Sequence, residues 1–78
     1  MLKIKLYGVL KEKVGEEIKM ESKFKKIEDV INFLIKKSPY IGEIREHLLI
    51  SINNKQASFD DIIKDGDEIS IFLAPSGG

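Results

Sequence analysis

The chain closes with Ala74-Pro75-Ser76-Gly77-Gly78, and its last two residues are glycines. Five residues extend to at most about 17 Å, which is enough for the last of them to enter the active site of another protein. Gly77 and Gly78 carry no Cβ and fit a channel only as wide as a backbone, while Pro75 stiffens the start of the segment. A frayed terminus is the simpler interpretation of two glycines taken alone. The segment is therefore predicted to be a flexible tail, and the rest of the sequence decides whether its end is reactive.

The reactive group of such a tail is the main-chain carboxylate of Gly78. Its pKa is about 3.5, so it is ionised at neutral pH and is a poor electrophile. Joining it to a nucleotide as a mixed anhydride makes phosphate the leaving group, and a nucleophile can then attack the carbonyl carbon. The sequence contains no glycine-rich phosphate-binding loop. We therefore expect a partner enzyme to consume the ATP, and we expect this chain to bind no cofactor.

The side chains offer little chemistry of their own. There is no cysteine, which excludes a disulfide, a thiolate nucleophile and a zinc–thiolate site. His47 is the single histidine and has no serine or cysteine nucleophile beside it, so a surface or helix-end position is expected. Four aspartates between residues 60 and 67 lack the spacing of a calcium-binding loop and are expected to cap and turn the backbone. The sequence predicts no metal site and no autonomous active site.

Charge and hydropathy exclude several classes of protein. Thirteen basic and thirteen acidic residues give a formal net charge of zero, and the basic residues are not clustered with aromatics, which argues against nucleic-acid binding. No apolar run approaches the roughly 20 residues that span a bilayer, and the alternating N-terminus is not a signal peptide. We expect a cytoplasmic protein that does not bind membranes.

The periodicity of apolar residues predicts the elements that carry the tail. Alternation predicts strands at 2–6, 17–21, 48–52 and 68–73, with a short return strand at 56–57. The spacing i, i+3, i+4, i+7 predicts an amphipathic helix over 27–37, although the usual capping residue is missing before Ile27. A second short helix is expected within 40–47, and a brief helical turn capped by Ser58 or Asp60 is expected to hold Ile62 and Ile63.

This order of elements predicts an α+β fold with one main helix packed across a mixed sheet of four or five strands. An initial hairpin followed by a helix and returning strands suggests the ubiquitin-like β-grasp arrangement. We expect one domain over residues 1–73, followed by the tail at 74–78.

Two aromatic residues are predicted on the outer face of the sheet. Tyr7 has the parity opposite to Leu2, Ile4 and Leu6, and Phe72 has the parity opposite to the inward residues of the last strand. In a β-grasp sheet the first and last strands are parallel neighbours, so both rings would lie near the tail. Exposed aromatics grouped in this way predict a partner-docking patch, the alternative being that residues 8–15 cover one ring.

Several segments together carry a resemblance to a known family. They are Lys3-Ile4-Lys5-Leu6-Tyr7, Val14-Gly15, Ile52-Asn53, Ser58-Phe59-Asp60, Asp65-Gly66-Asp67-Glu68 and Ser76-Gly77-Gly78. On these segments the chain resembles the MoaD/ThiS family of ubiquitin-like sulfur carriers over nearly its whole length. Within that family it is most similar to the small subunits of molybdopterin synthase.

The resemblance implies a reaction cycle. A ubiquitin-activating-type ATPase, using ATP and Mg, would adenylate the carboxylate of Gly78, and sulfur transfer would convert it to a thiocarboxylate. Ser76 and Gly77 would thread the tail into the large subunit of molybdopterin synthase, in a heterotetramer, to donate sulfur for molybdopterin. Tyr7, Phe72 and Lys11 would contact partners.

Three departures from the family bear on the identity of the partner, and one of them is Leu73-Ala74-Pro75, which differs from the family's common double-proline approach to the diglycine. Lys11 stands where the family often has arginine, so a bidentate contact with a carboxylate would become a point charge. Gln56 replaces a residue that is usually apolar. Three alternatives therefore remain open: a carrier for tRNA thiolation, a carrier for thiamine synthesis, and a protein modifier whose Gly78 forms isopeptide bonds with lysines. A plain interaction module is disfavoured by the two terminal glycines.

Overall fold

A computed structural model describes residues 1–21 and 23–74 of the chain. Its strands are β1 (Leu2–Leu6), β2 (Glu17–Met20), β3 (Leu48–Ile52), β4 (Lys55–Ala57) and β5 (Glu68–Leu73). Its helices are α1 (Val9–Val14), α2 (Ile27–Lys37) and α3 (Tyr40–Glu43), and a short 3₁₀ helix (Arg45–His47) leads into β3. The predicted strands and the predicted main helix are confirmed to within a residue or two.

The strands form one mixed sheet in the order β2-β1-β5-β3-β4. The first and last strands, β1 and β5, are parallel neighbours at its centre, and the other pairs are antiparallel. The two-residue loop between β3 and β4 places Asn53 and Asn54 at φ of 50° and 70°, which suits asparagine in a hairpin turn. The ubiquitin-like β-grasp topology that the sequence predicted is confirmed.

The core lies between one face of the sheet and α2. Alternate residues of β1 and β5 are buried on that face, and the helix buries the stripe that its spacing predicted. The helical residues of this core are Ile27, Val30, Ile31 and Leu34. The helix α2 therefore covers one face of the sheet. The opposite face is shielded only by the side chains that the strands themselves carry.

The start of α2 is capped without a serine, threonine or asparagine before it. Asp29, in the first turn, accepts hydrogen bonds from the backbone N–H groups of Lys25 and Lys26 at 3.0 and 3.1 Å. These two bonds hold the pKa of the Asp29 carboxyl below its usual range. The N–H groups of Ile27 and Glu28, which have no acceptor within the helix, donate to backbone carbonyls of the segment 59–61. A carboxylate inside the helix and a neighbouring loop thus replace the missing cap.

The segment 58–63 corrects one prediction. The backbone N–H of Asp61 donates to the carbonyl of Ser58 at 3.1 Å, but this single turn ends before Ile62 and Ile63, which lie in no helix. The carboxylate of Asp61 accepts hydrogen bonds from Ser58, and the backbone N–H of Ile63 donates to the carbonyl of Lys25. Ile63 is buried, but Ile62 is 68% exposed. The backbone groups of this segment are paired with the start of α2, so a local helix would have left that start without partners.

Candidate functional site

The tail begins where β5 leaves the sheet. The backbone N–H of Ala74 donates to the carbonyl oxygen of His47 at 2.8 Å, which ties the last described residue to the end of the 3₁₀ helix. Ser76, Gly77 and Gly78, which the sequence singled out, lie outside the described residues. The described part of the site is therefore the base of the tail and the surfaces around it.

Tyr7 and Phe72 lie together beside this base. Parallel pairing of β1 with β5 sets Leu6 opposite Ile71, which makes the next residue of each strand a neighbour of the other. The two rings stack with centroids 4.5 Å apart and planes 7° from parallel. The side chains remain 40% and 39% exposed. The predicted grouping of the two aromatics near the tail is confirmed, whereas their role in docking stays a prediction.

Leu49 extends this pair across a third strand. It pairs with Phe72 in the antiparallel register of β3 and β5, and it is 47% exposed. Tyr7, Phe72 and Leu49 therefore form an apolar row across the three central strands at the tail end of the open face. Leu49 was not among the predicted contact residues, although its outward parity on β3, which it shares with Ser51, was the signal that would have found it.

Charged residues lie next to the apolar row on the open face. The ammonium group of Lys5 lies 3.3 Å from a carboxylate oxygen of Glu68, and this contact raises the pKa of Lys5. Lys11 lies on α1, largely exposed, with its Nζ 3.7 Å from Glu16. Lys11 shares a polar hollow of about 510 Å³ with Tyr7 and Lys5. Lys11 is thus placed beside the aromatic pair, as a point charge at the rim of the apolar row.

A second hollow, of about 580 Å³, is also lined by Tyr7 and reaches the base of the tail. We call it the tail-base hollow. Its lining comes from the start of α1, from α3 and the turn after it, and from the end of β5. The residues are Tyr7, Gly8, Val9, Tyr40, Ile44, His47, Leu73 and Ala74. Tyr7 therefore belongs both to the apolar row and to the tail-base hollow, beside the base of the tail.

The other candidate residues occupy structural positions. His47 is exposed at the end of the 3₁₀ helix, as expected. Asp67 accepts hydrogen bonds from the backbone of Lys64 and the side chain of Asn53, and Asp65 pairs with the N-terminal ammonium group. Within residues 1–21 and 23–74, no three histidine or acidic side chains are close enough to hold a metal ion. These aspartates stabilise the turns that precede β5.

The helices of the described segments are all too short or too polar to cross a bilayer.

Comparisons with known proteins agree with this geometry. A search of curated sequences finds no match. The fold is similar to that of the small archaeal modifier protein 1 of Methanosarcina acetivorans, with a TM-score of 0.82 and 25% identity, covering 99% of this chain and 95% of that one. It is also similar to a chain in the complex of subunits 1 and 2 of the molybdopterin-converting factor of Helicobacter pylori, with a TM-score of 0.66 and 18% identity, covering 99% and 97%.

A third similar structure is a chain of the BexX/CysO complex of Amycolatopsis orientalis, with a TM-score of 0.76 and 14% identity, covering all of both chains. The model of the ThiS family matches residues 4–78, which is nearly the whole sequence. The chain therefore belongs to the ThiS family, a family of ubiquitin-like sulfur carriers and modifiers.

Proposed function

We propose that this chain is a sulfur carrier for molybdopterin synthesis and that its working group is the C-terminal carboxylate of Gly78. The observation that carries the proposal is the placement of the apolar row and the tail-base hollow around Ala74, four residues before Gly78. A protein that handles Gly78 must approach this end of the sheet, and the family match extends to residue 78.

The proposed chemistry has two steps. A carboxylate oxygen of Gly78 attacks the α-phosphate of ATP on the partner enzyme, which releases pyrophosphate and leaves an acyl adenylate. A sulfide-level nucleophile supplied by the partner then attacks the carbonyl carbon, and AMP leaves with the electron pair of its bond to that carbon. The product is a thiocarboxylate in which sulfur replaces one oxygen of Gly78. The ATP and Mg belong to the partner.

The residues of this chain bind and orient. The apolar row supplies an exposed carbon surface that a partner can cover, and stacked aromatic residues are well suited to anchor such a contact. Lys11 offers a positive charge to a partner carboxylate beside the row. The hydrogen bond from Ala74 to His47 fixes where the tail leaves the domain. The glycines then enter the catalytic channel of the partner, where side chains would not fit.

The choice of molybdopterin as the product rests on resemblance. The segments around Phe59 and Asp65-Gly66-Asp67-Glu68 are similar to those of molybdopterin synthase small subunits, and the fold matches a chain of a complex of two molybdopterin-converting-factor subunits. We propose that the large subunit of that enzyme accepts the sulfur, in a heterotetramer with this chain.

The absence of cysteine makes the proposal easy to test. The wild-type chain is purified from its native cells, treated with a maleimide and weighed intact. A thiocarboxylate sulfur would take up the reagent, whereas the chain has no thiol of its own that reacts. We expect one adduct on the wild type and none on a chain lacking Gly78. Failure to find an adduct in cells that are making the molybdenum cofactor would refute the carrier role.

The acceptor is tested separately. The sulfur-loaded chain is mixed with the purified large subunit and cyclic pyranopterin monophosphate, and the dithiolene product is measured. If the loaded chain transfers no sulfur here but supports tRNA thiolation or thiamine synthesis, the carrier role stands and the pathway is wrong.

A second candidate is a protein modifier, which the likeness to a small archaeal modifier protein favours. The same activated carbonyl of Gly78 would then be attacked by the amine of a lysine on another protein, with loss of AMP or of a partner thiol. Trypsin cuts this chain last after Lys64, so a conjugated lysine on another protein would carry the segment 65–78 as its remnant. Such remnants, found in native cells and lost when this gene is deleted, would identify this activity.

A further inference from the structure

We propose that the tail-base hollow receives an aliphatic or aromatic side chain from the enzyme that adenylates Gly78. This inference rests on the proposed function and extends it. It names a second contact, at a hollow that Tyr7 of the apolar row also lines. The partner would then contact both the row and the base of the tail.

The length of the tail brings the enzyme to the hollow. Four residues follow Ala74, and when fully extended they span at most about 14 Å. The atoms of the enzyme that react with Gly78 must lie within that distance of Ala74. Ala74 and Leu73 themselves line the hollow, so the catalytic cleft of the enzyme lies close to its mouth.

The lining determines the chemistry of the occupant. Val9, Ile44 and Leu73 present carbon surface to the hollow, and Tyr40 and His47 stand with them in its lining. An apolar side chain that enters removes this carbon surface from water. An ammonium group would lose its hydration there and would meet the like charge of Lys13, whose Nζ lies 5.1 Å from the centroid of the Tyr40 ring. A carboxylate would exchange its hydration for that one solvent-exposed cation. The hollow therefore favours an uncharged carbon-rich side chain.

Tyr7 joins the two contacts. Its ring stacks on Phe72 in the apolar row, and the residue also lines the hollow. A partner that covers the row and fills the hollow therefore contacts Tyr7 in both places, which would make this residue the centre of the interface. Residues at the centre of an interface tend to dominate binding.

His47 allows a test without disturbing the core, because it is exposed in the free chain. The assay is ATP–pyrophosphate exchange catalysed by the purified ubiquitin-activating-type ATPase of the same cell, at varied concentrations of the carrier. His47→Asp places a carboxylate in the hollow, and we expect the KM for the carrier to rise roughly tenfold with little change in kcat. His47→Leu keeps the lining apolar and should leave the KM unchanged or lower it.

Asn32→Asp is the matched control, since it adds the same charge at an exposed position of α2 away from the tail. Urea unfolding of each variant checks that the domain is equally stable. The inference is overturned if His47→Asp leaves the KM at the wild-type value. It is also overturned if His47→Leu raises the KM as much, since that pattern belongs to a structural role.

Two further outcomes separate this inference from others. If His47→Asp alters self-association of the isolated chain and leaves exchange unchanged, the occupant is a second copy and the inference is wrong. If the wild-type chain supports no exchange at all, the proposed function itself fails, and the inference fails with it. If the wild type and His47→Asp support exchange equally well, the proposed function stands and only the contact at the tail-base hollow is rejected.

Discussion

Truncating Leu49 to alanine should weaken binding of the chain to its adenylating enzyme. Leu49 belongs to the apolar row and has 47% of its surface exposed in the free chain. Complete burial of a leucine side chain is worth about 1.5–3 kcal/mol, so slightly less than half of that, about 0.7–1.4 kcal/mol, is left for a partner to gain. The Leu49→Ala variant should therefore bind about 3- to 10-fold more weakly.

Isothermal titration calorimetry with the purified ATPase measures this change. Ile62→Ala is the matched control, because Ile62 is also an exposed aliphatic residue, at 68%, and lies near the end of β3 that is distant from the tail. It should bind like the wild type. Equal losses in both variants would mean that general stability is being measured, and an unchanged affinity of Leu49→Ala would refute the assignment of the apolar row as a docking surface.

Two predictions concern stability. The pKa of Asp29 is lowered by two backbone N–H groups, so its carboxylate stabilises the fold above its unfolded pKa of about 3.9, and that contribution is lost as pH falls through the folded value. Asp29→Asn should therefore lower the melting temperature at pH 7, and the melting temperature of the variant should fall less than that of the wild type as the pH is lowered from 7 to 2. Plots of melting temperature against pH that run parallel for the two proteins would contradict this. The guanidinium of Arg45 lies 4.3 Å from the centroid of the Phe59 ring. Arg45→Lys should lower the free energy of unfolding in urea by part of the about 0.5–1 kcal/mol that such a contact contributes at an exposed site, since an ammonium group keeps the charge but does not stack as a plane. Equal stability of the lysine variant would show that only charge matters there.

The sequence predicted most of the fold because its signals are local. The parity of β1 and β5 and the stripe of α2 each follow from neighbours within a few residues, and the structure confirms them. Tyr7 and Phe72 were also predicted to lie together, since parallel pairing of the first and last strands is a property of the whole β-grasp order.

The features that were not predicted from the sequence depend on contacts between distant segments. Leu49 was visible as an outward residue of β3, but its place beside Phe72 depends on the register of β3 and β5. The loop 58–63 was assigned a helical turn because its composition favours one, whereas its backbone bonds go to the start of α2. The tail-base hollow joins three separate stretches of chain and has no local pattern at all. The roles assigned to Gly78, Gly77, Ser76 and Lys11 stay predictions.

The central pairing of β1 with β5 has a consequence for how the protein is made. The first strand to leave the ribosome lacks its neighbour on one side until the last strand has emerged, so the middle of the sheet closes late in synthesis. A nascent chain cut short before residue 68 would expose the unpaired side of β1 and its apolar residues, and such a chain is a target for proteases and chaperones. Most molecules that fold and survive would therefore contain the segment through Leu73, from which the tail extends.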